Sequence, residues 1–466
     1  MARAGAAQLD DTAEVVIFVG QSGPAFVTAF LGSAWRGVPF VPLNYRLGSA
    51  QLHELIARHR HALLIADERY IGALPSTSGP IVTTTDWLDA VSAPDPAGLD
   101  VADVAQPALY LYTSGTSSAP KAAVLHHKHL GSYIFGSVEY GAASHDDAAL
   151  VSVPPYHIAG VANLLSNVFA GRRLVYLPHF TPEAWLKTVR AEGITQAMVV
   201  PTMLARIVEA VEGGLPADAP TLRSISYGGA HIHESVLRRA LRIFPNAGFV
   251  NAYGLTETSS SIAVLGPDDH RAALSSQDPK VRRRLGSVGQ LLPGIEVEVR
   301  DAAGVCRPAG ATGDIWVRGE QVSGEYAGLG SACDQDGWFP TRDAGLLDED
   351  GYLYIEGRTD DTIIRGGENI APAEVEDVLL RHPAVLDAAV VGLPDDEWGQ
   401  VVAAAVTLRN GVHASADELR DWTRQHLRSS RAADLVVVVP TLPRTDTGKL
   451  LRRHVLANVV SLSGTR

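Results

Sequence analysis

Residues 113 to 124 read TSGTSSAPKAAV and stand directly behind the apolar run ALYLY. Small residues let backbone N–H groups approach an oxyanion, hydroxyls add donors, and a cation completes a phosphate cradle. Thr113, Ser114, Gly115, Thr116, Ser117, Ser118 and Lys121 supply all three. The spacing is not GxxxxGK[ST], so the common P-loop ATPase arrangement is not implied. On this segment alone, a phosphate loop and an ordinary polar turn both stand.

Three distant segments carry matching chemistry. NAYGLTETSSS (251–261) sets Tyr253, Gly254, Thr256 and Glu257 in a glycine-containing turn behind a buried strand. There an aromatic face can stack on a base, a hydroxyl can bond a phosphate and a carboxylate can hold Mg2+. DGWFPTRDAG (336–345) puts Asp343 in a loop, where it can accept from two ribose hydroxyls. PRTDTGKLLRR (443–453) puts Lys449 in a loop framed by proline and glycine.

The elements that must position these residues alternate through the first half. EVVIFV (14–19), VPFVPL (38–43) and HALLIAD (61–67) read as strands, with helical spacing between them at 24–37 and 49–60. That rhythm predicts a parallel sheet with covering helices. It continues through GRRLVYLP (171–178), a helix at 181–193 capped by Thr181 with Pro182 in its first turn, ITQAMVVP (194–201), SYGGA and GFVNAYG. Beyond about residue 285, short strands joined by Gly/Pro turns follow, and 346–358 reads as a hairpin with DEDG at its turn. A compact remainder follows a boundary near residues 357–361. It holds a helix over 372–382 that buries Val375, Val378 and Leu379, and three further strands.

Composition narrows the function. The 466 residues are 46% hydrophobic and 20% charged, as in ordinary globular proteins, and length alone suggests several domain-sized units. A net charge of −13 argues against a general nucleic-acid binder, and the basic clusters RHRH (58–61) and RRR (282–284) read as solvated faces. Cys306 and Cys333 are far apart with no CxxC, which argues against a disulfide framework or structural zinc site and fits a reducing cytoplasm. No signal peptide and no membrane span are expected, and peripheral membrane contact stays open.

Taken in order from about residue 14 to 455, these segments resemble the adenylate-forming superfamily: acyl-CoA synthetases, firefly-type luciferases and peptide-synthetase adenylation domains. TSGTSSAPKAA resembles the family's phosphate loop, YGLTET is a close match, and GRTDDTIIRGGENIAPAEVE (357–376) resembles its hinge motif. The resemblance implies an α/β fold. A large N-terminal AMP-binding domain (1–359) would hold αβ-layered subdomains and a distorted β-rich subdomain. A small mobile α+β C-terminal domain (360–466) would carry the catalytic lysine. It implies ATP, Mg2+ and coenzyme A as cofactors. A carboxylic acid is activated to acyl-AMP, with pyrophosphate leaving, and a thiol then displaces AMP.

Carried over by motif position, Thr113, Ser114, Gly115, Thr116, Ser117 and Lys121 would clasp the β- and γ-phosphates. Glu257 would hold Mg2+ and Thr256 the α-phosphate. Gly228, Gly229 and Ala230 would border adenine and acyl group, with Tyr253 and Gly254 at the base and Asn251 on its amino edge. Asp343 and Arg358 would hold the ribose, and Lys449 would carry adenylation. Asp360 matches the hinge, Gly366 and Gly367 the pantetheine channel, and His157 the aromatic position beside the reacting carboxylate. A histidine lacks the fixed negative charge that pairs with an α-ammonium, which favours a fatty or aryl acid. Loading of an acyl carrier protein, or a weakened relative that only binds nucleotide or acyl ligand, are the alternatives.

The chain departs from the family pattern at Ser118 and Ala122, where glycines are usual, and at Arg342, which replaces the glycine of TGD. Arg342 is expected to contact a phosphate or pair with Asp343. The opening strand matches a region that relatives reach several dozen residues later. This implies a missing edge strand of the β-rich subdomain or a start set downstream. EVVIFV is still expected to form a sheet strand.

Overall fold

The computed structural model describes residues 2–9, 12–75, 79–92, 101, 106–113, 120–366, 368–395, 397–445 and 448–463. Val15–Val19 lies between Phe40–Pro42 and Ala62–Ala66, parallel to both. Burial on both faces explains why EVVIFV is nearly continuous in apolar residues. Pro24–Arg36 covers this sheet and ends at Gly37, whose φ of 71° is the left-handed conformation that glycine adopts without a Cβ clash. Phe18, Phe26, Phe30 and Phe40 interlock beneath it. The sheet has eight strands, and Lys121–His126 and Glu325–Tyr326 extend one side of it.

A second sheet of seven strands is parallel at its centre, where Ser224–Gly228 runs between Gln196–Val199 and Gly248–Leu255. Thr181 caps the helix Pro182–Ala191 by accepting from the Ala184 N–H at 3.1 Å. Val161 and Leu164 of the helix Ile158–Ala170 reach into the core of the first sheet, so the two sheets share a helical layer. A four-stranded antiparallel sheet, Glu296–Arg300 to Leu353–Arg358, packs Ile315, Val317 and Phe339 against Ile262 and Ala263. The hairpin with DEDG at its turn pairs Leu347 with Leu353.

The C-terminal sheet shows a period of two in its burial. Ala388, Val390, Val402, Ala404 and Val406 face Val375, Leu379 and Leu419 of the helices Pro372–Leu380 and Ala416–His426. Ala389, Val391, Ala403 and Ala405 face the other way, onto Val455 and Val459 of Arg452–Ser463. The architecture is therefore α/β, with a large layered N-terminal part and a smaller α+β part. No helix among the described residues is long and apolar enough to cross a membrane.

The basic clusters are more structural than the sequence suggests. His59 bonds the Tyr112 hydroxyl at 2.9 Å, and the Arg284 guanidinium stacks 4.4 Å from the Tyr352 ring centre. His129 also lies inside the fold. Burial, then Lys128 and His126, lower its pKa from 6.5 to about 4. Through that window the unfolded chain takes up a proton that the folded chain refuses, so stability should fall as pH drops from 6.5 toward 4. Chemical unfolding across this range should show the slope in the wild type and a flatter one in His129→Gln.

Candidate active site

One strand of the second sheet and two of the four-stranded sheet meet at a single carboxylate. Tyr253 Oη donates to Asp343 Oδ2 at 2.6 Å, and Arg358 Nη1 donates to Asp343 Oδ1 at 3.0 Å. Burial raises the Asp343 pKa, and Arg358 and Tyr253 counter that. Asp343 lies in the strand Phe339–Leu347, not in the expected loop, and pairs with Arg358 on the neighbouring strand. Tyr253 and Gly254 likewise lie in the strand Gly248–Leu255, because the chain turns only at Thr256–Thr258. Gly254 is required there: a Cβ would stand 1.8 Å from the Ser260 carbonyl oxygen as the chain folds back.

Arg342 pairs neither with Asp343 nor with any other acid among the described residues; it is exposed, with φ of 61°. The left-handed region costs a non-glycine residue about 1–2 kcal/mol, against about 0.5–1 kcal/mol for the extra chain entropy of glycine. Arg342→Gly should therefore raise unfolding free energy by about 0.5–1 kcal/mol in a denaturant titration.

A second buried carboxylate, Glu257, accepts from Tyr326 Oη at 2.7 Å. The Tyr326 ring also lies 5.5 Å from Lys121 Nζ, so one aromatic side chain stands between the acid and the cation. Sequence reasoning passed over Tyr326. The available signal was a tyrosine between glycines in SGEYAG, whose hydroxyl needs an acceptor once buried. A hydrogen bond to a charged group contributes about 1.5–3 kcal/mol. Tyr326→Phe should lower unfolding free energy by about that amount in a denaturant titration. Lys121 opens the strand Lys121–His126, and Thr113 ends the strand opposite, its Oγ1 donating to the Lys121 carbonyl at 3.4 Å. Ser114, Gly115, Thr116, Ser117 and Ser118 lie outside the described residues.

Lys449 arrives from the C-terminal part on a tight turn. The Thr445 N–H donates to the Lys449 carbonyl, the Gly448 N–H donates to the Thr445 carbonyl, and Arg444 bridges Asp387 and the Gly448 carbonyl. Gly448 seats this turn on the large part, where a Cβ would meet Thr202 Oγ1 at 2.1 Å. Lys449 is exposed as a residue, yet loss of solvent around its amine holds that group below the ordinary lysine value. Arg358 pushes the same way, whereas Asp343, Asp361 and Glu257 oppose it. The lysine thus feels both carboxylate centres.

The other residues fall around this centre or away from it. Gly228 allows the close approach of Ala252, whose carbonyl oxygen a Cβ would meet at 2.2 Å; Gly229 follows with φ of 82° and leads into Ala230. Asn251 Nδ2 donates to the Ser287 carbonyl at 3.3 Å. His157 is the N-cap residue of Ile158–Ala170, with its ring 4.7 Å from Tyr156. Asp360 is exposed in the short turn Thr359–Asp361. Gly366, with φ of 55°, lies against Trp398, and Gly367 is outside the described residues. A cleft of about 390 Å³ opens between Tyr45, Val153 and Met203 of the large part and Arg444 and Gly448 of the small one.

The arrangement joins two buried acids, a crowded lysine and a strand-end glycine turn, which suits an anionic nucleotide with a cation. Comparison with known proteins agrees. The model of the AMP-binding enzyme family matches residues 4–327, and that of the AMP-binding enzyme C-terminal domain matches 374–449. The fatty acid–[acyl-carrier-protein] ligase ScoC of Streptomyces coeruleorubidus is 32% identical over 94% of this chain and 85% of its own. A feruloyl-CoA synthase of Amycolatopsis is 34% identical over 94% and 88%. Among solved structures, the o-succinylbenzoate CoA synthetase of Bacillus subtilis with its acyl-adenylate intermediate superposes with a TM-score of 0.81. It is 27% identical over 97% of this chain and 90% of that one. The same enzyme is also known with ATP and a magnesium ion. The chain belongs to the AMP-binding enzymes, the adenylate-forming superfamily that includes the acyl- and aryl-CoA ligases.

Proposed function

We propose that this protein activates a carboxylic acid with ATP to an acyl-adenylate and then forms a coenzyme A thioester, releasing AMP and pyrophosphate. The observation that carries this reading is that Lys449, brought by a turn seated on the large part, lies near enough to Asp343 and Glu257 for both charges to bear on its amine. In the first step a carboxylate oxygen forms a bond to the α-phosphorus and the bond to pyrophosphate breaks. Lys449 lies between two sets of negative oxygens and lowers their repulsion as they meet. Asp343, steadied by Tyr253 and Arg358, offers acceptors to the ribose hydroxyls. Glu257 is an oxygen donor suited to Mg2+, which supplies charge neutralisation for the leaving group when bound. Thr113, Ser114, Gly115, Thr116, Ser117 and Lys121 would clasp the terminal phosphates, and Thr256 the α-phosphate.

In the second step the thiol sulfur bonds to the acyl carbon and AMP departs. One cleft serves both steps if the unit from residue 360 onward turns about Asp360, bringing Gly366 and Gly367 to the thiol's path. His157 would stand beside the acyl group, favouring an acid without an α-ammonium. The likeness to a fatty acid–carrier-protein ligase supports a carrier-protein thiol as the second reading. Acid-dependent exchange of labelled pyrophosphate into ATP, run over a panel of fatty and aryl acids, tests the first step. Exchange with at least one acid is expected. Tight nucleotide binding without exchange on any acid would leave the binding-only alternative.

A further inference from the structure

Where the two parts of the molecule meet, two histidines of the large one face an aspartate of the small one. His231 Nε2 lies 3.5 Å and His233 Nδ1 3.0 Å from Asp377 Oδ1, and the three atoms lie within 4.8 Å of one another. His231 and His233 straddle Ile232 in the extended stretch ahead of the helix Glu234–Ile243, a spacing that sends both rings to the same side. Their rings stand at 80° with centres 5.2 Å apart. Asp377 lies on the helix Pro372–Leu380 beside Glu376, whose carboxylate is taken by Arg452 and the Val390 N–H. No lysine or arginine among the described residues pairs with Asp377.

A tetrahedral zinc-type ion with bonds of about 2.0–2.1 Å holds its ligand atoms about 3.4 Å apart. The two measured separations, 3.0 and 3.5 Å, bracket that value. The side chains keep 44%, 20% and 36% of their surface exposed, so an ion has an entry path and room for water as a fourth ligand. We propose that His231, His233 and Asp377 form a binding site for a zinc-class divalent cation that spans the two parts of the molecule. The ion would tie the helix Pro372–Leu380 to the stretch behind Ala230, and with it keep the Lys449 turn over the cleft. That consequence rests on the reading that the C-terminal unit moves between the two steps; the site itself does not.

Zinc alone, titrated into the full chain against a chromophoric chelator, tests the site. One equivalent should bind, and His231→Ala, His233→Ala and Asp377→Asn should each weaken binding at least about tenfold, the effect already seen when a ligand's supporting partner is lost. Binding unchanged in the variants, or lost only in the two histidine variants, would overturn a site that spans both parts. With wild-type protein, zinc should slow thioester formation from supplied acyl-AMP while magnesium-dependent pyrophosphate exchange continues, and Asp377→Asn should abolish that slowing. No slowing despite binding would overturn the tether. Magnesium-only exchange does not involve the site, so a failed tether leaves the adenylation reading separately testable.

Discussion

Lys449→Ala should cut acid-dependent pyrophosphate release by about 10²–10³-fold, the usual cost of deleting one positioned donor from developing negative charge. Thioester formation from supplied acyl-AMP should persist, because the acyl–phosphate bond is already made. A burst assay of each half-reaction separates the two. The pH profile carries a further sign. Loss of solvent around the amine and the nearby Arg358 favour the neutral form, so the cation is lost at a lower pH than for a free lysine. The adenylation rate should therefore decline on the alkaline side earlier than an unperturbed lysine would dictate. Unchanged pyrophosphate release in the variant would remove Lys449 from the mechanism.

Arg452→Ala should be the most destabilising single substitution in the C-terminal part. Arg452 Nη1 donates to Glu376 Oε1 at 2.5 Å and to the Val390 carbonyl at 2.6 Å, and Nη2 donates to Glu376 Oε2 at 3.2 Å. Its Nε lies 3.4 Å from Asp361 Oδ2. Burial opposes ionisation of Glu376, but Arg452 and the Val390 N–H more than offset it and hold its pKa below the ordinary value. Removing one partner of such a buried pair leaves an uncompensated charge and costs about 3–5 kcal/mol. Calorimetry of the full chain should show the loss as a lowered unfolding temperature. Replacing both partners, as Arg452→Leu with Glu376→Leu, should cost markedly less, because no buried charge is then stranded.

The parts of the fold that were legible share one property: the local pattern and the tertiary demand agree. EVVIFV is apolar throughout because it is central in a parallel sheet, and Thr181-Pro182 marks a helix start that the structure caps. Asp343 reads as a loop residue and Tyr253 as a turn residue because glycines and polar residues surround them. Their strand state comes from cross-strand pairing, with Asp343 opposite Arg358, which local sequence cannot show. The helix Ala2–Ala7 was equally hidden. Its Gly5 sits against Thr28 and Gly32 of a neighbouring helix, a contact made by the absence of side chains. In the candidate site, the motif residues are those the sequence puts forward. Tyr326 is not among them, because its importance arises only when a short edge strand carries it to Glu257. His231, His233 and Asp377 meet across a separation of 144 residues or more, which no spacing rule detects.

The central claim is tested most directly by incubating the purified protein with MgATP and a mixed pool of carboxylic acids, with and without coenzyme A, and identifying products by mass spectrometry. The account predicts an acyl-AMP in both samples and an acyl-CoA only where coenzyme A is present, with the mass naming the acid. An adenylate that never passes to coenzyme A would contradict the thioester step and favour a carrier-protein thiol. Neither product, under conditions where ATP binds, would contradict the account as a whole.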